Sequence, residues 1–210
     1  MKYDAIIFDL GGVIINLDPN LSVQCFQKLI PEFDVTTFNG QEAQLPLYSE
    51  FETGKINSQA MVKRFNQHYS SNLSFEQFRQ AWNAMILDLP AIRIRLIRKL
   101  REQGIKVFLL SNINEIHEQF LEERFAELRD KGHFRDVFDQ IYYSHRMGMR
   151  KPQHEIFQCL IKEQNLIASK TLFIDDSAHH VRSANSLGIH AIHLTSPTSI
   201  IDLEIFKGVV

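Results

Sequence analysis

The sequence predicts a doubly wound α/β fold with a helical insertion, and three observations support this. Short apolar runs recur along the chain, they alternate with stretches of helical period, and one long stretch near the start carries helix signals only. Apolar runs of this length, bounded by polar residues, are typical of buried parallel strands. The five runs are Ala5–Phe8, Val107–Leu110, Ile141–Tyr143, Thr171–Ile174 and Ala191–Leu194.

Helical periodicity surrounds the later strands. The pattern over Ala91–Gln103 stops at Gly104, and that over Ala178–Leu187 stops at Gly188, a residue that commonly ends helices. Two further helices are expected at Glu115–Leu128 and Glu155–Asn165. Alternating strands and helices predict a Rossmann-like parallel sheet with helices on both faces.

The stretch from residue 16 to residue 90 contains no strand-like run. Its two clearest predicted helices are Phe75–Leu87, behind a capping-box pattern of Ser74 and Gln77, and Ser58–Tyr69, behind Asn57 as N-cap. We therefore expect an α/β core of residues 1–15 and 91–210 and a helical cap of residues 16–90, both of ordinary size for compact units.

Composition excludes several classes of protein. The chain has 210 residues, 44% of them apolar and 23% charged, with 23 basic and 25 acidic residues. This balance offers no polycationic surface for a nucleic-acid backbone. No apolar run is long enough to span a membrane, and the first residues do not resemble a signal peptide. Cys25 and Cys159 have no disulfide or zinc spacing, so we expect a cytoplasmic protein.

Polar residues of particular kinds follow three of the predicted strands. Asp9 follows the first, Ser111 and Asn112 follow the second, and Asp175 and Asp176 follow the fourth. Ligands of open α/β sheets bind outside the carboxyl ends of the strands, so these side chains are expected to converge. A single polar residue after a strand can also be explained as a helix cap. Polar residues of these kinds at three strand ends are not explained in that way.

These residue types indicate phosphoryl chemistry. Asp9 precedes a flexible Gly11-Gly12 turn and can attack phosphorus to form an acyl-phosphate. Asp175 and Asp176 would repel both Asp9 and a phosphate unless a cation intervened, and Mg²⁺ prefers such oxygen ligands.

Other polar residues complete the expected site. Ser111 and Asn112 offer short hydrogen-bond donors for phosphate oxygens, and Lys151 supplies a positive charge. His179 and His180 beside the acidic pair suggest zinc or a general base, but adjacent helix residues point in different directions and a carboxylate-rich site favours magnesium.

Four segments together resemble the motifs of the haloacid dehalogenase superfamily, over essentially the whole chain. They are Asp9-Leu10-Gly11-Gly12-Val13, Leu110-Ser111-Asn112, Lys151-Pro152 and Ile174-Asp175-Asp176-Ser177. The resemblance implies a core of that family's type with a helical cap. Glycine at position 11 and the segment Gly148-Met149-Arg150-Lys151-Pro152 are similar to one branch, the bacterial sugar-phosphate phosphatases such as those acting on α-glucose 1-phosphate.

The resemblance also implies roles for individual residues. Asp9 would be the nucleophile, Lys151 would orient the phosphate, and Ser111 and Asn112 would bind it. The implied ligands of Mg²⁺ are Asp9, the backbone carbonyl of Gly11 and Asp176, with Asp175 assisting. A closing cap would exclude water, and its loop of residues 52–55 would face the substrate.

The departure from the family's pattern lies at Gly11. Most phosphatases of the superfamily have there a second aspartate that acts as general acid and base, a role typically worth about 10²–10⁴-fold in rate. Asp18, seven residues further on, is our candidate substitute. Its alternative explanation is a surface turn over residues 16–19.

The expected function is that of a Mg²⁺-dependent phosphatase acting through an aspartyl-phosphate on a small metabolite such as a sugar phosphate. Three alternatives stay open: a metal-independent dehalogenase using Asp9, a phosphonate-cleaving enzyme using a cap lysine, and a phosphate-binding regulatory protein in which Gly11 marks lost catalysis. The expected partner is a small phosphorylated metabolite, without nucleic acid or membrane. The expected assembly is a monomer or a weak homodimer.

Overall fold

A parallel sheet of five strands forms the centre of the molecule. The computed structural model describes residues 2–36, 46–125 and 132–209. The strands are β1 (Ala5–Phe8), β2 (Lys106–Ser111), β3 (Gln140–Tyr143), β4 (Thr171–Asp175) and β5 (His190–His193). Their order across the sheet is β3-β2-β1-β4-β5, so the chain builds one half outward from β1 and then crosses to build the other. The predicted doubly wound α/β fold is confirmed.

The central strand sets the register of the sheet. Phe8, the last residue of β1, lies opposite Leu109 in β2 and Ile174 in β4. Every residue of β1 is buried, as its uninterrupted apolar sequence predicts. Because the neighbouring strands run parallel and end at the same level, the residues that follow them meet at one edge of the sheet.

Among the described residues, four helices lie between the first strand and residue 90. They are α1 (Pro19–Leu29), α2 (Pro46–Glu52), α3 (Ser58–His68) and α4 (Phe75–Asn83). The predicted caps are confirmed, since Asn57 accepts from the backbone of Ala60, and the capping box of Ser74 and Gln77 has both of its hydrogen bonds.

The fourth helix ends earlier than its periodicity predicts, at Asn83 instead of Leu87. The segment after it pairs with the chain that leaves the first strand. Leu87 N donates to Asn16 O at 3.0 Å, Asn16 N donates to Asp88 O at 2.9 Å, and Asp18 N donates to Met85 O at 2.9 Å. This pairing, which we call the connecting ribbon, satisfies backbone groups that a longer helix would have used.

Five helices flank the remaining strands. They are α5 (Ala91–Glu102), α6 (Glu115–Phe125), α7 (Ser144–Met147), α8 (His154–Glu163) and α9 (Ala178–Ser186). The end of the helix predicted over Glu115–Leu128 lies outside the described residues. In the part of the chain that the structure describes, no helix has both the length and the apolarity to cross a membrane.

The helices α1 to α4 have an apolar cluster of their own. Phe26 lies at its centre, with ring centroids 4.9 Å from Phe65 and 5.5 Å from Phe78. Trp82 joins this cluster to the sheet side of the molecule, because its ring stacks on His117 of α6 at 5.5 Å. Separate clusters cover the two faces of the sheet. The division into residues 1–15 with 91–210 and residues 16–90 stays a prediction.

Candidate active site

A buried lysine joins the strand ends at the carboxyl edge of the sheet. Lys151 Nζ donates to Asp9 Oδ1 at 2.6 Å, to Asp175 Oδ2 at 2.6 Å and to the backbone oxygen of Leu110 at 2.9 Å. Its side chain reaches the site from the loop between α7 and α8, and the residue is 0% exposed. The predicted convergence of residues from distant parts of the chain is therefore present.

Lys151 uses all of its protons within the protein. An ammonium group has three donors, and Asp9, Asp175 and Leu110 take one each. Burial disfavours the charge, but Asp175 and Asp9 outweigh this and raise the pKa of Lys151 above its usual value. In this arrangement the lysine holds the carboxylates in place. Its role in orienting a phosphate stays a prediction.

Asp9 is buried and lies near other negatively charged side chains. Burial, followed by the repulsion from Asp175 and Asp176, raises the pKa of Asp9 to about 6, against the attraction of Lys151. The residue is 8% exposed. A carboxylate in this environment is weakly solvated, so it is well suited to attack an electrophile once a cation offsets its neighbours.

The two aspartates after β4 have different surroundings. Asp175 is fully buried and accepts from Ser177 N at 2.8 Å and from His180 Nδ1 at 2.9 Å, besides Lys151. Although burial opposes it, the charge of Lys151 and the hydrogen bond with His180 hold the pKa of Asp175 well below its usual range. Asp176 is exposed. Asp175 is thus a fixed anion within the protein, while Asp176 is open to solvent beside it.

The carboxylates fit a hard divalent cation. Oxygens of Asp9, Asp175 and Asp176 lie within 4.8 Å of one another. Gly12 makes room for this cluster, because a Cβ at its position would lie 2.4 Å from Asp176 Oδ2, and its φ of +70° also favours glycine. An all-oxygen donor set of this charge matches Mg²⁺. Asp9 and Asp176 are the better direct ligands, since both oxygens of Asp175 are already hydrogen-bonded.

Asn112 has a partner that the sequence did not predict. Its Nδ2 donates to Lys151 O at 2.8 Å, and its Oδ1 accepts from Lys151 N at 2.8 Å. The amide therefore clamps the backbone of the residue that holds the nucleophile. Ser111, the last residue of β2, is buried beside it at 4% exposure. The phosphate-binding roles of Ser111 and Asn112 stay predictions.

The surroundings of Gly11 are apolar. A Cβ at this position would lie 2.4 Å from Leu17 Cδ1, so the leucine covers the place from which a second aspartate would extend. Asp18, our candidate substitute for that aspartate, is the N-cap of α1, and its Oδ1 accepts from Asn20 N at 3.0 Å. Asp18 is not among the clustered carboxylates of the described residues. Its general acid role stays a prediction, as does the carbonyl of Gly11 as a metal ligand.

The loop after α2 lies against the core beside this site. Glu52 Oε2 lies 3.1 Å from a terminal guanidinium nitrogen of Arg150, the residue before Lys151. A Cβ at Gly54 would lie 2.2 Å from the backbone oxygen of His145, so only glycine permits this approach. The sequence predicted that residues 52–55 face the substrate, but it did not identify Arg150 as the contact.

His180 is the clearest site residue that sequence reasoning missed. The sequence suggests it, together with His179, as a zinc ligand or a general base, and not as a partner of Asp175. The two rings have separate partners, since His180 contacts Asp175 whereas His179 Nδ1 lies 2.9 Å from Arg182. The available signal was position, because a side chain in the first turn of α9 lies close to the strand end that precedes the helix.

Known proteins resemble the chain over nearly its whole length. The model of the haloacid dehalogenase-like hydrolase family matches residues 6–194. The chain is 32% identical over 184 residues to D-ribitol-5-phosphate phosphatase of Bacteroides thetaiotaomicron, covering 87% of each protein. It is 30% identical over 196 residues to a sesquiterpene phosphatase of Aspergillus oryzae, covering 92% of this chain and 90% of that protein.

A solved structure extends this likeness to the fold. A wild-type enzyme of the same family from Bacteroides thetaiotaomicron, in complex with magnesium and inorganic phosphate, superposes with a TM-score of 0.81. The two sequences are 29% identical, and the match covers 93% of this chain and 96% of that one. The motifs, the sheet order and these matches lead to one conclusion: the chain belongs to the haloacid dehalogenase-like hydrolase family.

Proposed function

We propose that this protein is a Mg²⁺-dependent phosphatase that hydrolyses a small phosphomonoester through an aspartyl-phosphate intermediate. The observation that carries the proposal is the buried Asp9 carboxylate, fixed by Lys151 at 2.6 Å in a cluster with Asp175 and Asp176. The two curated relatives described above are phosphatases by name, one for a polyol phosphate and one for a sesquiterpene phosphate. A sugar or polyol phosphate is the substrate class that we favour.

The first chemical step uses Asp9. One of its oxygens bonds to phosphorus while the bond between phosphorus and the alcohol oxygen breaks, and the alcohol leaves with a proton. Lys151 and Asp175 keep the carboxylate in its orientation during this attack. Mg²⁺ would be held by Asp9 and Asp176, with Asp175 behind them, and it would supply positive charge that offsets the repulsion between the carboxylates and the phosphate.

The second step returns the enzyme to its starting state. Water bonds to phosphorus, the bond between phosphorus and the Asp9 oxygen breaks, and inorganic phosphate leaves. Both steps need a proton transfer that Gly11 cannot provide. Asp18 is the substitute that we propose, and without an acid the enzyme is restricted to leaving groups that depart easily.

The carboxylate cluster favours this activity over dehalogenation. Displacement of halide by Asp9 needs no metal, and it gives no reason to place two further aspartates within 4.8 Å of the nucleophile. The cluster does have a role when a cation and a phosphate bind together.

The test is release of inorganic phosphate from sugar phosphates, polyol phosphates, nucleotides and an activated aryl phosphate, with Mg²⁺ or with chelator. We expect Mg²⁺-dependent release that Asp9→Asn abolishes. Asp4→Asn is the matched control, because Asp4 precedes the same strand and its side chain forms an exposed ion pair with Lys170. Release that survives Asp9→Asn would overturn the nucleophile. No release from any substrate would favour the regulatory alternative.

We further propose a cytoplasmic location and a monomer or weak homodimer, as the sequence predicts. Neither proposal is needed for the chemistry.

A further inference from the structure

Two neighbouring residues of α7 hold the backbone that follows the second strand. Ser144 Oγ accepts from Ile113 N at 2.9 Å and donates to Ile113 O at 3.0 Å, and Ser144 is fully buried. His145 Nδ1 lies 2.9 Å from the same carbonyl oxygen, which can only accept, so the ring donates there. Both hydrogen-bonding groups of Ile113 are therefore fixed by a distant part of the chain.

Ile113 adjoins the residues for which we predict phosphate binding. It follows Asn112, whose side-chain amide forms two hydrogen bonds with the backbone of Lys151, each at 2.8 Å. Because the peptide unit between Asn112 and Ile113 is planar and rigid, a shift of Ile113 also moves Asn112. The position of Ile113 thus bears directly on the loop that ends β2.

A buried carboxylate fixes the ring of His145. The ring's Nε2 lies 2.9 Å from Glu118 Oε2, and the two side chains are 11% and 8% exposed. Although burial opposes it, hydrogen bonds with His145 and Arg146 lower the pKa of Glu118. An ionised carboxylate only accepts, so hydrogen bonds to Glu118 and to Ile113 require a proton on each ring nitrogen. Hydrogen bonds of this charged kind are stronger than neutral ones.

Packing confines the rest of His145. Its ring stacks on Tyr143, with the ring centroids 6.0 Å apart. A Cβ at Gly54 would lie 2.2 Å from the backbone oxygen of His145, so this backbone is closely covered. A donor that is locked by packing and by a second hydrogen bond has a defined position, and it restricts its acceptor to one place.

We propose that His145 is a positioning residue that holds the loop of residues 111–113 in the conformation that binds phosphate. The inference rests on the proposed phosphatase function, and His145 acts in it through the carbonyl of Ile113. A loop that adopts its binding conformation for only a fraction of the time binds its ligand more weakly by that fraction. Loss of the hydrogen bond from His145 to Ile113 should therefore weaken phosphate binding.

Two variants separate the two hydrogen bonds of the ring. His145→Asn places an amide nitrogen near the position of Nδ1, so it keeps a donor for Ile113 and loses the contact with Glu118. His145→Gln places its amide nitrogen near the position of Nε2, so it keeps a donor for Glu118 and loses the contact with Ile113. Arg146→Met is the matched control, because Arg146 lies on the same helix and pairs with Glu118 at 2.6 Å.

The first measurement is the dissociation constant of inorganic phosphate in the presence of Mg²⁺, by calorimetric titration of the whole protein. We expect His145→Gln to raise this constant by about tenfold or more, the scale of one hydrogen bond to a charged group. We expect His145→Asn and Arg146→Met to stay within about threefold of wild type.

The second measurement is the hydrolysis of phenyl phosphate. His145→Gln should raise KM by a factor similar to that for phosphate and lower kcat by less than about threefold. The reason is that the ammonium group of Lys151 keeps its own hydrogen bonds to Asp9 and Asp175 in this variant. A purely structural role would not divide the effect between KM and kcat in this way.

The outcomes separate this inference from the proposed function. An unchanged dissociation constant in His145→Gln would overturn the role of His145, and so would an equal increase in all three variants, which would trace the effect to Glu118. Phosphate binding that depends on His145 without hydrolysis of any ester would refute the proposed function and support this inference. A wild-type protein that binds no phosphate would overturn both.

A further variant covers the case in which His145→Gln does not fold. His145→Ala also removes the donor for Ile113, and it is then compared with His145→Asn. A weaker phosphate affinity in His145→Ala than in His145→Asn would support the inference, and equal affinities would overturn it.

Discussion

Replacing Lys151 by Met leaves two buried carboxylates without the cation that they share. The change removes three hydrogen bonds and both ion pairs of the ammonium group at once. Asp175 is 0% exposed and Asp9 is 8% exposed, so water compensates little of the loss. The charge that remains is negative on both residues, and they repel each other.

The expected cost follows from the chemistry of buried ion pairs. Removing one partner of such a pair destabilises a protein by about 3–5 kcal/mol. That is a large share of an ordinary unfolding free energy of about 5–15 kcal/mol. With a urea slope of about 2 kcal/mol per M, the unfolding midpoint should fall by about 2 M. Protonation of Asp9 or Asp175 relieves the repulsion, so the loss should be smaller at pH 5 than at pH 8.

The assay is urea unfolding of wild type and variant at both pH values, without added metal. Lys170→Met is the control, because Lys170 and Asp4 form an ion pair at 3.4 Å with both side chains more than half exposed. We expect that control to change the free energy of unfolding by less than about 1 kcal/mol. A Lys151→Met variant as stable as the control would refute the assignment of Lys151 as the cation that holds the cluster.

Three further predictions concern single residues. Gly12→Ala should weaken Mg²⁺ binding in a calorimetric titration, because the added Cβ would meet Asp176. Gly104→Ala is the control, since Gly104 also has a positive φ, +82°, but nothing lies within 4 Å of the added Cβ. Equal Mg²⁺ affinities of the two variants would contradict the packing argument. Burial lowers the pKa of His117 from 6.5 to about 4. The free energy of unfolding should therefore fall by up to about 3 kcal/mol as the pH falls from 6.5 to 4, because the unfolded chain takes up the proton first. A His117→Gln variant that loses as much stability over the same pH range would disprove this origin. Asp18→Asn keeps an N-cap acceptor but no titratable proton, so it should slow hydrolysis of alkyl phosphates more than of activated aryl phosphates; identical rates for both would remove Asp18 as the acid.

The strands were predictable because burial on both faces demands continuous apolar runs. β1 matches its predicted bounds, and β2 to β4 differ only at their ends. β5 is displaced by one residue, covering His190–His193 instead of Ala191–Leu194. It is an edge strand that pairs only with β4, and its residues are partly exposed, so its sequence is less constrained.

The convergence of the site residues was predictable from the sequence, but the hydrogen bonds and ion pairs among them were not. Parallel strands bring their carboxyl ends together whatever the loops do, which is why Asp9, Asp175 and Asp176 form a cluster. The clamp of Asn112 on Lys151 depends on how one loop docks against another strand end. The pair of Glu52 and Arg150 depends on where a separate group of helices lies against the sheet. One-dimensional spacing carries no information about either contact.

The connecting ribbon brings together two positions that are far apart in the sequence. Asn16 and Asp88 are bonded neighbours at 2.9 Å, although 72 positions separate them in sequence. The chain thus leaves the sheet and returns to it at the same place, and a tight turn would be long enough to join Asn16 to Asp88. We therefore expect that the residues between these two positions can be shortened or exchanged without a change to the sheet, because their ends already meet.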